Sequence, residues 1–268
     1  VTHMLAAVHE IDDDTMIIGT SGRYEFKNKG INVYLEALNR LTRDKNLKKD
    51  VLAFINVPGW VGEVREDLRE RLDSGKDYDT PLECPFITHW LHNMSHDQVL
   101  DMLKYLNMSN SVDTKVKVVF VPCYLDGKDG ILNELYYDLL IGTDLSVYPS
   151  YYEPWGYTPL ESIAFKVPTI TTDLAGFGLW VNSLTGKNAT LQDGVKVIHR
   201  TDYNYSEVAD TIKDTISEFS SLTSTEINKI RKNAANIAEK ALWKHFIQYY
   251  YEAYDIALRN AAKRLSLN

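Results

Sequence analysis

The most constraining feature of this chain is a strand–loop–helix–strand segment between residues 144 and 172. Residues 144–148 have the alternating apolar and β-branched pattern of a short strand. After an aromatic loop, residues 162–165 continue as a helix and residues 167–172 form the next predicted strand. Open α/β sheets bind their ligands at the carboxyl ends of their strands. The loop at residues 149–161 is therefore the expected binding site.

That loop reads Pro-Ser-Tyr-Tyr-Glu-Pro-Trp-Gly-Tyr-Thr-Pro-Leu-Glu and carries two carboxylates, Glu153 and Glu161. Its last residues are typical of a helix start, with Thr158 as the N-cap and Pro159 at the first helical position. The first-turn N–H groups of such a helix form a site for an anion, above all phosphate. A simpler interpretation is that Glu161 only closes a capping box and Glu153 is a solvated loop acid.

A second segment, residues 22–30 (Gly-Arg-Tyr-Glu-Phe-Lys-Asn-Lys-Gly), follows the first predicted strand and precedes a predicted helix. It places two cations, Arg23 and Lys29, in a strand-to-helix loop, where a phosphate clamp is expected. Lys27 lies in the same loop, and we expect it to be an ordinary solvated charge.

Residues 149–161 resemble, nearly residue for residue, the signature of glycogen synthases of the eukaryotic type. These are retaining glycosyltransferases with two facing Rossmann-like domains, and their motif pairs two glutamates with seven residues between them, as here. Residues 22–30 and 174–178 (Leu-Ala-Gly-Phe-Gly) resemble two further signatures of that family, in the same order. The resemblance therefore covers most of the chain.

The resemblance implies a role for each matching residue. Arg23 and Lys29 would neutralise the leaving diphosphate, and Glu153 would face the donor glucose, in a chemical or only a positional part. Tyr136 would stack on the donor base and Glu161 would bind the ribose hydroxyls. The other expected donor-binding residues are Trp155, Gly156, Tyr157 and Thr158. The family needs no cofactor and no metal ion.

The implied reaction is transfer of glucose from UDP-glucose or ADP-glucose to the 4-hydroxyl of an α-1,4-glucan, with retention. Two alternatives remain open at this point. One is another retaining transferase of the same plan, such as a sucrose or starch synthase. The other is a catalytically silent module that binds nucleotide-sugar or glucan. The choice between UDP and ADP stays open, as does the oligomeric state, an oligomer of the full-length enzyme included.

The expected fold class is α/β, a single Rossmann-like domain of about six parallel strands flanked by helices. Strands are predicted near 16–21, 51–57, 116–121, 144–148, 168–172 and 195–198. Helices are predicted near 30–43, 61–74, 96–107, 133–141, 207–219 and 226–265, the last one broken or bent near Trp243. Residues 182–194 are polar and turn-rich and are expected to form a loop.

Composition excludes several classes of function. A formal net charge of -8 gives no electrostatic footprint for nucleic acid. No long apolar run indicates a membrane span, and no signal peptide is evident, so we expect a cytoplasmic protein. The two cysteines, Cys84 and Cys123, lack metal-site spacing and are expected to be reduced thiols.

Three histidines form the main metal-site alternative. His89, His92 and His96 have spacings of three and four, which would align their imidazoles on one helix face. No neighbouring cysteine or carboxylate completes a ligand set, so this interpretation is disfavoured. By resemblance, Thr88 and His89 would instead lie close to the donor site.

The end of the chain is rich in aromatic residues, including Trp243 and Tyr249 to Tyr254. Such a helix face is usually core, whereas the resemblance would make it a contact surface for a second domain. The family's arginine-rich sensor of glucose 6-phosphate is reduced here to Lys229, Arg231 and Lys232, which makes that regulation doubtful.

The sequence carries one set of Rossmann-like signatures, and the first predicted strand begins within about twenty residues of the start. We therefore expect residues 1–268 to be the nucleotide-sugar-binding C-terminal domain, without the N-terminal acceptor domain of the family. Alone, the chain is expected to bind nucleotide without transferring glucose, because closure of two domains positions the donor.

Overall fold

The computed structural model of the chain describes residues 14–74, 76, 82–111 and 113–265. Its strands are β1 (Met16–Ser21), β2 (Val51–Asn56), β3 (Val61–Val64), β4 (His89–Leu91), β5 (Val116–Val121), β6 (Leu145–Val147), β7 (Thr169–Thr172) and β8 (Val195–Ile198). Its helices are α1 (Ile31–Leu41), α2 (Glu66–Ser74), α3 (Gln98–Tyr105), α4 (Tyr136–Ile141), α5 (Tyr157–Ala164), α6 (Gly176–Thr185), α7 (Tyr205–Ser220), α8 (Ser224–Lys240) and α9 (Trp243–Leu265). Short 3₁₀ turns cover Met94–His96 and Leu191–Asp193.

Six strands form one sheet in the order β5-β2-β1-β6-β7-β8, and every pairing in it is parallel. Counted along the sheet strands alone, this is the order 3-2-1-4-5-6 of a Rossmann fold. The six predicted strands are confirmed to within one or two residues at each end. The predicted α/β class is therefore confirmed.

The sheet is covered on both faces. Along β2, Ala53 and Ile55 pack into one buried cluster, while Leu52 and Phe54 pack into another on the opposite face. Alternate residues of a strand point to opposite faces, so the near-continuous apolar run of β2 needs helices on both sides. A third cluster joins α5, α6 and α8 to β8. Within the described residues, no helix is long and apolar enough to cross a membrane.

The prediction of one helix over 61–74 was wrong at its start. Val61 to Val64 form β3, which pairs antiparallel with β4 through Val61–Leu91 and Val64–His89. Only Glu66–Ser74 is helical. A strand partner more than twenty residues away decided the conformation of these residues, which local periodicity could not indicate.

Two other boundaries differ from the prediction. The helix α6 extends from Gly176 to Thr185 and so includes the start of the segment expected to be a loop. The break near Trp243 is confirmed, because α8 ends at Lys240 and α9 begins at Trp243. The interpretation of the α9 aromatics as core was wrong, since α9 contains no buried residue.

Candidate donor-binding site

The candidate site lies where the strand order reverses, between β1 and β6. The loop after β1 contains residues 22–30, and the loop after β6 contains residues 149–156. Both leave the sheet at its carboxyl edge, so the two predicted binding segments meet. Their backbones are joined directly, because the Tyr151 N–H donates to the Asn28 carbonyl at 2.7 Å.

Gly30 allows this close approach. It caps α1 in a left-handed conformation, with φ of +71°. A Cβ atom at this position would overlap the carbonyl group of Pro149 and crowd the Arg200 guanidinium. Only glycine fits both the backbone angle and the space.

The structure brings together two of the three predicted catalytic residues. Lys29 and Glu153 form an ion pair between the two loops, and their side chains are only 14% and 18% exposed. Arg23 is different, because its side chain is 75% exposed and pairs with Glu25 at 2.8 Å. Lys29 is thus paired and largely buried between the two loops, while Arg23 is paired at the surface.

A cavity of about 720 Å³ opens beside these loops, within the size range of ligand pockets. Its lining combines the ends of β1 and β2, the loops after β1, β2 and β5, and the starts of α4 and α5. The residues are Ser21, Gly22, Arg23, Tyr24, Glu25, Asn56, Pro58, Cys123, Tyr124, Leu125, Asp126, Tyr136 and Thr158. Predicted residues Arg23, Tyr136 and Thr158 therefore share one cavity.

Tyr136 is fixed in this cavity by its hydroxyl group. That oxygen lies 2.7 Å from Ser21 Oγ, and Ser21 Oγ lies 3.3 Å from the Tyr148 hydroxyl. The Tyr148 hydroxyl in turn lies 2.9 Å from Ser162 Oγ of α5. Burial raises the pKa of Tyr136, so the phenol stays protonated. The chain of hydroxyls ties the aromatic wall of the cavity to β1 and to α5.

The start of α5 differs from the sequence prediction. The helix begins at Tyr157, and its N-cap is Gly156 with φ of +110° and no side-chain cap. Thr158 is thus inside the first turn and faces the cavity, and neither the Thr158 cap nor the Glu161 capping box exists. Glycine tolerates this positive φ, whereas the Thr-Pro-Leu-Glu pattern also fits a cap two residues later.

Glu161 is half-buried on α5, next to two tyrosines of α4. Burial raises its pKa, while the nearby Tyr137 hydroxyl opposes that shift. Tyr136 also lies close enough for the carboxylate charge to raise the pKa of its phenol. The Glu161 carboxylate is therefore free of a capping role and lies beside the aromatic wall.

Trp155 and Tyr157 do not line the cavity. The Trp155 ring packs in an aromatic cluster with Phe177, Trp180 and Phe246, at centroid distances of 6.0, 5.8 and 5.5 Å. Tyr157 is exposed at the first position of α5. Trp155 therefore packs against the protein interior and supports the loop. Through Phe246, the first turn of α9 packs against the Trp155 ring.

The histidine triplet does not assemble. His92 packs on Trp60 at a centroid distance of 5.3 Å, while His89 is buried near Cys123 and Asp129. His89 Nε2 lies 2.7 Å from the Asp129 carbonyl, and Nδ1 lies 2.9 Å from the Thr88 hydroxyl, so both ring nitrogens have partners.

The group of His89, Cys123 and Asp129 is also poorly suited to a metal ion. The Asp129 carboxylate accepts the backbone N–H groups of residues 131–133. Burial raises the pKa of the Cys123 thiol to about 12, whereas a metal ligand must be a thiolate. Both cysteines are free thiols, as predicted.

No sequence pattern indicated a role for Arg200. This buried residue follows β8, and its guanidinium binds the Pro149 carbonyl and lies 5.3 Å from the Tyr151 ring centre. Burial lowers its pKa to about 10, so it remains charged at neutral pH. Its backbone N–H donates to Asp173 at 2.9 Å. Arg200 therefore anchors the loop at residues 149–156 from the far edge of the sheet.

Comparison with known families agrees with this geometry. Residues 68–265 match the family model described as "Glycogen synthase". The chain belongs to the glycogen synthase family. The match includes the loop at residues 149–161, α5 and the aromatic cluster, and it favours this family over the sucrose synthase alternative.

Curated relatives support the same assignment. The chain is 27% identical over 306 residues to "Glycogen [starch] synthase isoform 2" of Saccharomyces cerevisiae, which covers 92% of this chain and 43% of the relative. It is also 27% identical to glycogen [starch] synthases of Neurospora crassa (over 305 residues, 93% and 42% covered) and Caenorhabditis elegans (over 298 residues, 92% and 44% covered). The chain therefore spans less than half the length of these relatives.

Proposed function

We propose that this chain binds the sugar-nucleotide donor of a glycogen synthase-type hexosyltransferase. The reaction moves glucose from UDP-glucose or ADP-glucose to the 4-hydroxyl of an α-1,4-glucan, with retention. The observation that carries the proposal is the Lys29–Glu153 ion pair, which joins two family signatures at the point where the strand order reverses. Ligands of open α/β sheets bind at this point.

The leaving nucleoside diphosphate develops negative charge on its phosphate oxygens. The Lys29 ammonium group has three N–H donors, and one of them on Glu153 leaves two for a phosphate oxygen. Arg23 reaches the same charge by leaving Glu25. The backbone N–H groups in the first turn of α5 add donors that carry no net charge. Fixed donors of this kind stabilise a developing anion more strongly than water does.

The remaining residues hold the rest of the donor. Tyr136, fixed by Ser21, offers a ring face to the base, and Glu161 accepts hydrogen bonds from the ribose hydroxyls. Thr158, with Gly156 and Tyr157 before it, lies between them at the start of α5. Glu153, held by Lys29, is placed toward the donor glucose, and Trp155 holds the loop in position.

The acceptor glucan belongs to a part of the enzyme outside this chain, because the relatives are more than twice as long as the matched region. The exposed aromatic face of α9 is a suitable contact for that part. Free thiols at Cys84 and Cys123 are consistent with a cytoplasmic location. Arg231 already pairs with Asp144 at 3.0 Å, and we propose no regulation by glucose 6-phosphate.

Calorimetric titration of the chain with UDP and with ADP tests the donor site and decides between the two bases. Lys29→Ala is expected to weaken nucleoside diphosphate binding by roughly 10- to 100-fold, the usual effect of one charge-assisted contact. Arg23→Ala should weaken it less, because its side chain first has to leave Glu25. Lys27→Ala, an exposed lysine in the same loop, is the matched control and should bind as the unchanged chain does.

Unchanged affinity in both Lys29→Ala and Arg23→Ala would remove the phosphate role. A second assay separates an enzyme from a silent binding module. The chain is incubated with labelled UDP-glucose and glycogen beside the full-length protein. We expect elongation only by the full-length protein, since domain closure positions the donor. A full-length protein that binds UDP without turnover would favour the silent module.

A further inference from the structure

Arg200 carries a buried positive charge without a counter-ion among the described residues. Only 5% of its surface is exposed, and its guanidinium contacts the Pro149 carbonyl and the Tyr151 ring but forms no ion pair with a described carboxylate. By contrast Arg65, another buried arginine, pairs with Asp67. Burial of a charge without an ion partner is costly, and an apolar side chain of similar volume would cost less. Stability alone therefore does not account for this charge.

The guanidinium lies at the junction of the two loops of the site. Its Nη1 atom donates to the Pro149 carbonyl, at the start of the loop at residues 149–156. The same nitrogen would lie 2.8 Å from a Cβ atom placed on Gly30, the last residue of the segment at residues 22–30. The charge also lies 5.3 Å from the Tyr151 ring centre, within cation–π distance. One side chain therefore lies against both family signatures.

The Lys29–Glu153 ion pair is formed by residues next to this junction. Lys29 directly precedes Gly30, and Glu153 follows Tyr151 by two positions. A guanidinium is a planar group with rigid donor geometry, so it restricts the Pro149 carbonyl and the Tyr151 ring together. A shift of either would displace the Glu153 carboxylate relative to Lys29, because Glu153 lies only a few residues along the same loop.

We infer that Arg200 is a positioning residue that sets the Lys29–Glu153 ion pair and thereby directs the Lys29 ammonium group to the donor phosphate. The inference rests on the proposed donor site. It gives the buried charge a role, because a charged donor holds the Pro149 carbonyl more strongly than a neutral donor does. Positioning of this kind matters, since a misplacement of about 1 Å can cost an enzyme about 100-fold in rate.

The test compares Arg200→Lys with the unchanged chain by calorimetry, using whichever of UDP and ADP binds more tightly and the matching nucleoside. Lysine keeps the charge but lacks the planar fork that holds the carbonyl and the ring together. The variant should bind the diphosphate about 3- to 30-fold more weakly. Its affinity for the nucleoside should be unchanged, because the nucleoside has no phosphate for Lys29. In a Lys29→Ala background, Arg200→Lys should have less than about a twofold further effect, since the two residues act as one unit.

Arg40→Lys is the matched control. Arg40 joins the last turn of α1 to α7 through the Ser206 carbonyl and Asp210, both at 2.8 Å, and so lies at the other end of α1 from Gly30. This variant should leave the ratio of the two affinities unchanged, even where urea unfolding shows a loss of stability. Tyr151→Leu replaces a 40% exposed ring and serves if Arg200→Lys does not fold. It should weaken diphosphate binding about two- to fivefold and leave nucleoside binding unchanged.

Three results would contradict the inference. Equal weakening of both ligands in Arg200→Lys would show a general loss of structure, and an unchanged diphosphate affinity would show no role in binding. An additive loss in the double variant would show that Arg200 acts on the phosphate without Lys29. If Lys29→Ala by itself leaves the diphosphate affinity unchanged, the proposed phosphate site fails, and the inference fails with it.

Discussion

The loop at residues 149–156 and the helix α9 are both rich in aromatic residues, yet they are held in opposite ways. The loop is attached to distant parts of the chain through its backbone. Its contacts come from Asn28, Thr172, Leu174 and Arg200. By contrast, α9 has no buried residue, and its tyrosines at 249, 250, 251 and 254 are exposed.

This difference shows that a segment rich in aromatic residues is not necessarily buried. In the loop, the two tyrosines Tyr151 and Tyr152 remain exposed although the backbone is fixed, and Trp155 packs behind it. In α9, Phe246 of the first turn packs against Trp155, and the rest of the helix is exposed or only partly buried. A fixed backbone with exposed side chains is what a binding loop needs. An exposed helix with a large aromatic face is what an interface needs.

The largest expected effect on stability comes from a substitution that disrupts the attachment of the loop at residues 149–156. Gly30→Ala should lower the free energy of unfolding by about 3 kcal/mol or more, because the new Cβ meets the Pro149 carbonyl and the backbone has positive φ. Gly186→Ala is the matched control. Its φ is +67° with nothing within 4 Å of a Cβ, so only the backbone cost of about 1–2 kcal/mol applies. Urea unfolding measures both, and equal losses would contradict the close contact at Gly30.

A second pair of variants compares the two aromatic regions directly. Trp155→Ala should cost about 2–4 kcal/mol, since the ring contacts Phe177, Trp180 and Phe246. Tyr251→Ala on α9 should change stability by less than about 0.5 kcal/mol in this chain, because surface substitutions seldom do more. A large loss in Tyr251→Ala would mean that α9 is packed in this chain after all.

The smallest expected effect is a pH dependence of the folding stability, which arises at His199, next to the loop-anchoring residue Arg200. His199 Nδ1 lies 2.5 Å from Asp173, and this hydrogen bond raises the pKa of His199 above its usual value. The stabilisation is fully present below the unfolded-state pKa of about 6.5 and is lost as the pH rises through the higher folded value.

The unchanged chain should therefore lose a small part of its thermal stability between mildly acidic and mildly alkaline pH. His199→Gln should lack that component. Thermal unfolding of both proteins across this range measures the difference. Parallel curves for the two proteins would show that the His199–Asp173 contact contributes nothing to folding.

Much of the fold follows from local patterns. The strands β1, β2 and β5 are apolar runs bounded by turn residues, and each was predicted within a residue or two. The cations Arg23 and Lys29 could be placed near the loop at residues 149–161 because both segments follow parallel strands of one sheet. The order of the strands still had to come from the structure.

Other features depend on partners that are distant in sequence. Thr158 fits the sequence pattern of a helix cap, but in the structure Gly156 occupies that position with positive φ. The sequence pattern predicts a helix at Val61 to Val64, but these residues form a strand that pairs with β4. In both cases the local sequence pattern is compatible with either structure. The pattern alone therefore cannot decide between them.

The sequence by itself determined the α/β class, the parallel strands, the two loops of the site and the pair of glutamates. Only the tertiary structure decided that Lys29 pairs with Glu153 and that Arg200 supports the loop. The first set depends on periodicity and turn chemistry over a few residues. The second depends on contacts between residues that lie 51 and 124 positions apart, which form only when the sheet brings the ends of its strands together.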